Sequence, residues 1–260
     1  MKAASFNVNS VRARLDILLP WLQREKPDVL CLQETKVQDE DFPVQVFSEA
    51  GYSVAFKGQK SYNGVAILST EPLHDIHIGF DNEESSGPRI ISAVFQNINI
   101  INTYIPQGGE PDSEKFQGKL DWLKRLLEYF QERFTPEQPV LWMGDFNIAP
   151  EPGDVYDPVK LLGQTGYHPD EHALLKKFAE WGFADVFRRH VAETEQFTFW
   201  DYRIRNSVSR NIGWKLDHIW ATSPLAQKST RAWIDMNPRL KERPSDHTPI
   251  LAEFDLHKDL

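Results

Sequence analysis

The chain has 260 residues, 40% of them hydrophobic, and carries 38 acidic against 29 basic side chains for a net charge of −9. That length supports a large core, and with no Gly-, Ser- or Pro-rich linker to divide it, residues 1–260 read as a single domain. A lone cysteine, Cys31 within an apolar run, excludes a disulfide framework, and no stretch resembles a signal peptide or a membrane span, so a reducing cytoplasm is expected and a membrane partner is not.

The predicted elements begin with a short strand over 3–6 that ends at Asn7. Val11, Leu15, Leu18, Leu19 and Leu22 then follow helical spacing, with Asn9 or Ser10 as the cap and Pro20 expected to kink or shorten the helix. A buried strand over 29–32 runs into Gln33-Glu34-Thr35-Lys36, which delivers a carboxylate at a strand end. Strands over 53–56, 65–68, 90–95 and 98–103 follow, the last two joined as a hairpin through Gln96-Asn97. The last of them leads into Tyr104-Ile105-Pro106-Gln107-Gly108-Gly109, a tyrosine before a flexible loop.

Ser113 reads as the cap of a long amphipathic helix with Phe116, Leu120, Leu123, Leu127, Phe130 and Phe134 on one face. The apolar run 140–143 is a strand that ends in Gly144-Asp145-Phe146-Asn147 and is stopped by Pro150 and Pro152. Residues i and i+2 of an extended chain point the same way, so Asp145 and Asn147 can face one pocket while Phe146 enters the core. Pro169-Asp170 opens another helix, with Leu174, Leu175, Phe178 and Trp181 inward and Gly182 as its stop. An aromatic, β-favouring stretch over 197–202, a polar basic loop over 203–211 and a strand over 213–220 carrying Asp217 come next, and Ser245-Asp246-His247-Thr248-Pro249 precedes a terminal strand over 250–254. Strands alternating with long helices indicate α/β or α+β architecture, and the hairpins make the sheet partly antiparallel.

Charge is unevenly spread. Residues 1–198 hold 19 basic and 30 acidic side chains, whereas 199–243 hold 9 basic and 4 acidic, a local basic face suited to phosphate on an otherwise acidic protein. Asn7, Glu34, Tyr104, Asp145, Asn147, Asp217, Asp246 and His247 all flank apolar strands, so one edge of a packed sheet can gather them. Each alone also has a purely structural reading: His247 as a satisfied histidine, Glu34 as a helix cap, Asp217 as the partner of an arginine.

Taken together they resemble a known family. Leu32-Gln33-Glu34-Thr35-Lys36, Gly144-Asp145-Phe146-Asn147, Gly213-Trp214-Lys215-Leu216-Asp217 and Ser245-Asp246-His247-Thr248-Pro249 look like the ordered motifs of the exonuclease III family of abasic-site endonucleases. Phe6-Asn7-Val8-Asn9-Ser10-Val11-Arg12-Ala13-Arg14 and Tyr104-Ile105-Pro106-Gln107-Gly108 match as well, and the Phe199-Trp200-Asp201-Tyr202-Arg203 run is closer to the bacterial exonuclease III type. The resemblance implies an α/β (α+β) four-layer sandwich of the DNase I-like kind: two mixed β-sheets packed face to face with helices outside.

It also implies a metal-dependent site. Asn7, Glu34 and Asp246, with Asp145 and Asn147 as further candidates, would hold Mg²⁺, or Mn²⁺ as a substitute; oxygen donors suit such hard cations, and the Cys and His clusters of zinc sites are missing. Tyr104, Asp145, Asn147, Asp217 and His247 take the catalytic roles. In one version Asp145, oriented by Asn147, activates water while His247, held by Asp217, stabilises the phosphate; in the other His247 is the base and Asp145 a metal ligand. Phe199, Trp214 and Leu216 match an apolar pocket for a sugar without its base, and Arg203, Arg205, Arg210 and Lys215 lie beside it to contact the DNA backbone. Asn9 stands where some relatives carry Asp.

The implied activity is incision of double-stranded DNA 5′ to abasic sites in base excision repair, with 3′ to 5′ exonuclease and 3′-phosphatase activity on blocked ends. The implied protein is a monomer of the cytoplasm, at the nucleoid if bacterial. Two rivals stand beside this reading: a phosphodiesterase or phosphatase of the same superfamily acting on lipid or inositol phosphates, and a catalytically silent DNA-binding module. The basic segment and the apolar trio favour DNA over the first, and the filled catalytic positions argue against the second.

Overall fold

The apolar runs at 29–33, 65–69 and 140–145 are buried at every position, as strands must be when both faces of their sheet are covered. The computed structural model describes residues 1–80 and 87–257. In chain order the elements are β1 Lys2–Asn7, α1 Leu15–Glu25, β2 Val29–Gln33, α2 Val44–Glu49, β3 Ser53–Lys57, β4 Val65–Ser69, β5 His74–Ile78, β6 Ile90–Phe95 and β7 Ile98–Tyr104. The second half continues with α3 Glu114–Arg133, β8 Val140–Asp145, α4 Pro158–Leu161, α5 Pro169–Trp181, β9 Phe183–Asp185, α6 Val186–His190, β10 Asp217–Thr222, α7 Ser223–Ala226, β11 Ser229–Ile234 and β12 Ile250–Phe254.

The strands form two six-stranded sheets, ordered β11-β12-β1-β2-β4-β3 and β5-β6-β7-β8-β10-β9. Each has a parallel pair at its centre, β1 with β2 and β7 with β8, and antiparallel neighbours such as β12 and β10 beside it, so both sheets are mixed. Their inner faces meet in a core that combines Val29, Cys31, Val65 and Ile67 with Ile91, Ile100, Leu141, Met143 and Ile219. Leu18, Trp21, Leu22 and Phe47 from α1 and α2 cover the outer face of the first sheet, and Leu123, Phe130, Leu175 and Phe178 from α3 and α5 cover the second. The result is the four-layer sandwich expected.

One polar side chain pins the two sheets together inside this core. Asn102 of β7 is fully buried and its Nδ2 donates to the carbonyls of Leu32 at 2.9 Å and Ala66 at 2.8 Å, both on the opposite sheet. Gln33 answers from β2, its Nε2 donating to Asn102 Oδ1 at 2.8 Å. A further local constraint explains the glycine before Asp145. Gly144 has φ +152°, and a Cβ there would lie 1.9 Å from the carbonyl oxygen of Thr103 on the neighbouring strand.

Several elements match their sequence signals closely. Gln96 and Asn97 both take left-handed backbone angles at the β6–β7 hairpin, Ser113 Oγ accepts from Phe116 N at 3.1 Å to cap α3, and Gly182 closes α5 on the Phe178 carbonyl. Others depart. Helix α1 runs through Pro20 to Glu25, since burial of Leu18, Trp21 and Leu22 on either side outweighs the one hydrogen bond to Asp16 that proline forgoes. Asn9 and Ser10 do not cap it; both sit at positive φ in the turn after β1. The strand expected over 213–220 begins only at Asp217, and the aromatic stretch 197–202 contributes isolated bridges of Phe199 to Trp214 and to His247. Strands β5, β9 and β11 carry no strong alternation and were not expected.

Replacing Asn102 by Leu removes the acceptor of Gln33 Nε2 and sets an apolar side chain against two carbonyls. The expected loss is about 2–3 kcal/mol in urea unfolding; a loss under about 0.5 kcal/mol would show that Asn102 does not pin the sheets.

Candidate active site

The parallel pairs bring their C-terminal ends to one edge of the sandwich, and the antiparallel neighbours start there. Asn7 ends β1, Glu34 follows β2, Tyr104 ends β7 and Asp145 ends β8, while Asp217 opens β10 directly opposite Asp145. Asp246 and His247 enter from the loop before β12. All eight strand-flanking residues therefore converge, four from each sheet, in two converging rows.

Asn7 ties the two rows at the floor: its Nδ2 donates to Glu34 Oε1 and to Asp145 Oδ2, each at 2.8 Å. Asp145 Oδ1 accepts the backbone N–H of Asn147 at 2.9 Å, and Asn147 Nδ2 donates to the Ile105 carbonyl at 2.9 Å. His247 Nδ1 lies 2.7 Å from Asp217 Oδ2, and its Nε2 lies 3.7 Å from Asp145 Oδ2. One donor atom each from Glu34, Asp145 and His247 falls within 4.8 Å of the others. Two carboxylates so close, beside an amide, offer oxygen donors that fit a divalent cation, with His247 next to them.

Charge is finely divided across this floor. Burial above all pushes the Asp145 carboxyl up to about 7, with Asp217 and Glu34 adding to the rise and His247 and Asn7 opposing it. For His247 burial works against the charged ring, but Asp217 and then Asp145 prevail and push it up to about 10. Burial likewise opposes ionisation of Glu34, yet hydrogen bonds from Asn7 and Lys36 hold its carboxyl below the usual range. Tyr104 is raised by burial and by the charges of Glu34 and Asp145, so it remains a protonated donor.

The floor opens into a cavity of about 680 Å³. Phe199, Trp214 and Leu216 form an apolar part of its wall, with the Phe199 ring 4.9 Å from that of His247, and Asn147, Tyr104 and Asp246 line it too. Asp246 stays outside the Glu34–Asp145–His247 group: its Oδ1 accepts from Asn9 Nδ2 at 2.9 Å, and Asn9 Oδ1 accepts from Lys36 Nζ at 2.6 Å. Lys36 also lies 2.6 Å from Glu34 Oε2.

The basic residues divide. Arg203 lines the cavity, its guanidinium forked onto Asp201, while Arg205 and Arg210 are exposed on the loop beside it. Lys215, expected at the DNA-facing surface, is instead fully buried, 3.2 Å from Asp185 Oδ2 and 2.9 Å from His218 Nδ1. Its place one residue before Leu216 turns it to the opposite side of the chain, under the site. Two neighbours escaped sequence reasoning. Lys36 stands in the recognised Glu34 motif without an assigned role, and Arg89 lies 4.8 Å over the Tyr104 ring and donates to the Tyr104 carbonyl at 3.2 Å. Only the pairing of β6 with β7 could have pointed to Arg89, by placing it opposite Tyr104.

Known proteins share this sequence and architecture. Residues 4–247 match the profile of the Endonuclease/Exonuclease/phosphatase family. The chain is 35% identical to exodeoxyribonuclease III of Haemophilus influenzae, over 98% of its own length and all of that protein's. It superposes with a TM-score of 0.95 on an AP endonuclease from Archaeoglobus fulgidus, at 46% identity and with 98% and 100% of the two chains covered. A TM-score of 0.93 at 34% identity relates it to the 3′ phosphatase NExo from Neisseria, solved bound to a product DNA hairpin, with 98% and 99% covered.

The shifts at the floor fix a pH dependence. A histidine raised from 6.5 to about 10 contributes stability that is complete below 6.5 and lost as pH rises through about 10. Asp145, raised from 3.8 to about 7, acts in the same direction, favouring the fold in its neutral form. In the metal-free protein the His247 ring should therefore give the NMR signature of an imidazolium up to about pH 8, and the stability advantage of wild type over His247→Asn should shrink across this range. A ring that titrates near the ordinary histidine value would contradict the arrangement.

Proposed function

The chain belongs to the endonuclease/exonuclease/phosphatase family, and from that premise we propose that it is a metal-dependent DNA-repair nuclease that hydrolyses the phosphodiester 5′ to an abasic site. Its substrate is double-stranded DNA with abasic or 3′-blocked damage, on which it also acts as a 3′ to 5′ exonuclease and 3′-phosphatase, as a monomer in the cytoplasm. The observation that carries this reading is the juxtaposition of an acid-base floor, Asp145 against His247 and Asp217, with the apolar wall of Phe199, Trp214 and Leu216 in one cavity.

The two shifted groups divide the chemistry. A carboxyl brought to about 7 is matched to accepting a proton from water near neutral pH, so Asp145 is the general base. Asn147 and Asn7 hold its two oxygens in place. His247 is already charged at that pH, which suits it to donate from Nε2 to a phosphate oxygen as negative charge develops, and Asp217 fixes both its tautomer and its charge. Tyr104 keeps its proton and donates a second hydrogen bond to the phosphate, with Arg89 steadying its ring.

Glu34, oriented by Asn7 and with Asp145 and Asp246 nearby, would hold Mg²⁺ or Mn²⁺. Bound there, such a cation supplies positive charge for the leaving oxygen. The apolar wall admits a sugar that has lost its base, since an abasic nucleotide has little stacking to give up on leaving the duplex, and a tight wall excludes an intact one. Arg203 lines the same cavity, and it and the exposed Arg205 and Arg210 of that loop would meet the DNA backbone.

The test is a gel assay on a duplex with one central abasic analogue, beside an undamaged duplex with a recessed 3′ end, with Mg²⁺ or with EDTA. Cutting at the abasic position only with Mg²⁺ is expected; hydrolysis of a phosphoinositide with no DNA cut would replace this reading with a lipid phosphatase. Asp145→Asn and His247→Asn should each lower turnover by at least ~10²-fold with the fold retained. Glu34→Ala should raise the Mg²⁺ concentration needed for half-maximal activity, and an unchanged titration would remove Glu34 from the metal site.

A further inference from the structure

Beneath the floor lies a second pair of charges that the reaction as described does not use. Lys119 of α3 and Glu171 of α5 are both wholly buried and meet at 2.5 Å. An enclosed ion pair contributes little net stability, because stripping water from both charges offsets their attraction. Its connections carry more information. The Lys119 ammonium donates to the carbonyl of Asn147 at 2.7 Å and to that of Gln107 at 3.3 Å. Glu171 Oε2 accepts from the backbone N–H groups of Gly166 at 2.8 Å and His168 at 3.1 Å. Asn147, Gln107 and Gly166 all line the cavity. One buried pair therefore grips, from behind, three separate loops that wall the reaction site.

The grip matters most at Asn147. This residue sits at φ +51°, a left-handed conformation that asparagine adopts more readily than most non-glycine residues. Its N–H is spent on Asp145 Oδ1 and its Nδ2 on the Ile105 carbonyl, so the peptide carbonyl is the remaining handle, and Lys119 takes it. The next two carbonyls are held as well, Ile148 by His218 Nε2 at 2.8 Å and Ala149 by His172 Nε2 at 2.9 Å. Lys119 differs from these in reaching a second loop. The fit is close: a Cβ on Gly108, at φ +98°, would lie 2.9 Å from Lys119 Cδ.

We propose that Lys119, anchored by Glu171, is a positioning residue for the hydrolysis: by holding the Asn147 carbonyl it keeps the Asn147 N–H on Asp145 Oδ1 and the carboxylate aimed for proton transfer. It acts through Asn147 and Asp145 and never touches DNA. This rests on the nuclease reading above.

The test separates alignment from stability. Lys119→Met alone strands a buried carboxylate, so the informative variant is Lys119→Met/Glu171→Leu, which removes both charges; it also takes partners from the carbonyls of Asn147 and Gln107 and the N–H groups of Gly166 and His168, so a lowered Tm is expected and kcat is read well below it, where the variant is folded. On the abasic duplex with Mg²⁺ its kcat should fall on the order of 10²-fold, the effect of misplacing a reacting group by about 1 Å, with KM changed by less than about twofold. A wild-type kcat in the folded double variant would overturn the inference. Should that variant fail to fold, Gly108→Ala crowds the Lys119 stem, and Thr165 beside it, with both charges intact, its Cβ 2.9 Å from Lys119 Cδ and from Thr165 Cγ2; the same selective loss of kcat is expected, and an unchanged kcat would equally overturn it. Absence of Mg²⁺-dependent cutting by wild type would instead sink the nuclease reading, which keeps the two failures distinct.

Discussion

The structure depends on satisfying polar groups trapped between two sheets. A sandwich of two apolar faces can slide, since hydrophobic contact has no direction; hydrogen bonds do. Asn102 in the interior and Asn7 at the rim each reach from one sheet to groups on the other, and each would be left with costly unmet donors if the sheets shifted. The register they impose is the one that sets Glu34 of the first sheet beside Asp145 of the second. The site is thus a consequence of how the layers are locked, and its accuracy is that of the buried hydrogen bonds below it.

Concentrating Glu34, Asp145, Asp217 and Asp246 at one sheet edge carries an electrostatic cost, and the structure meets it unevenly. Asp217 is matched by His247, and Glu34 by Lys36 and Asn7. Asp145 has two hydrogen-bond donors and the His247 ring 3.7 Å away, but burial outweighs them, and Asp217 and Glu34 add to the rise. A carboxyl that is poorly compensated when the site is empty is suited to gain from a cation or from proton transfer, the two things that the proposed reaction offers it. A net charge of −9 is compatible with a DNA substrate because charge is unevenly spread: residues 199–243 are locally basic, and Arg203 of that segment lines the cavity.

Strand ends were the legible part. A polar residue at the end of an apolar run announces both a buried strand and the place where its chain emerges, and Asn7, Glu34, Tyr104 and Asp145 stand at such ends, whereas His247 stands at the entrance to the last strand. What failed was direction after the strand ended. Lys215 belongs to a basic segment by composition, yet it turns inward to Asp185 and His218, because residues 213–216 form an irregular arm whose facing no periodicity encodes. Lys119 was hidden for the converse reason: a lysine within an amphipathic helix reads as solvated, and only the fold reveals that its neighbours there are the loops of the site. Strand β5 escaped because His74–Ile78 is largely exposed and lacks a buried face to impose alternation.

Lys215 and Lys119 are better understood as a pair of solutions to one problem. The chain after Asp145 must leave the sheet through buried space, exposing carbonyls of 147–149 that no strand can satisfy. Buried basic side chains can serve there only if their own charge is balanced, and so each comes with a carboxylate: Glu171 for Lys119, which takes the Asn147 carbonyl directly, and Asp185 for Lys215, which donates a hydrogen bond to His218 Nδ1 and leaves His218 Nε2 to donate to the Ile148 carbonyl. Burial alone would raise the Asp185 carboxyl, yet Lys215 and then His218 hold it well below the usual range, so this support stays ionised wherever the site operates. The inward lysine that sequence reasoning assigned to DNA therefore reaches the 147–149 turn only through His218, and its buried charge is tolerable because Asp185 balances it.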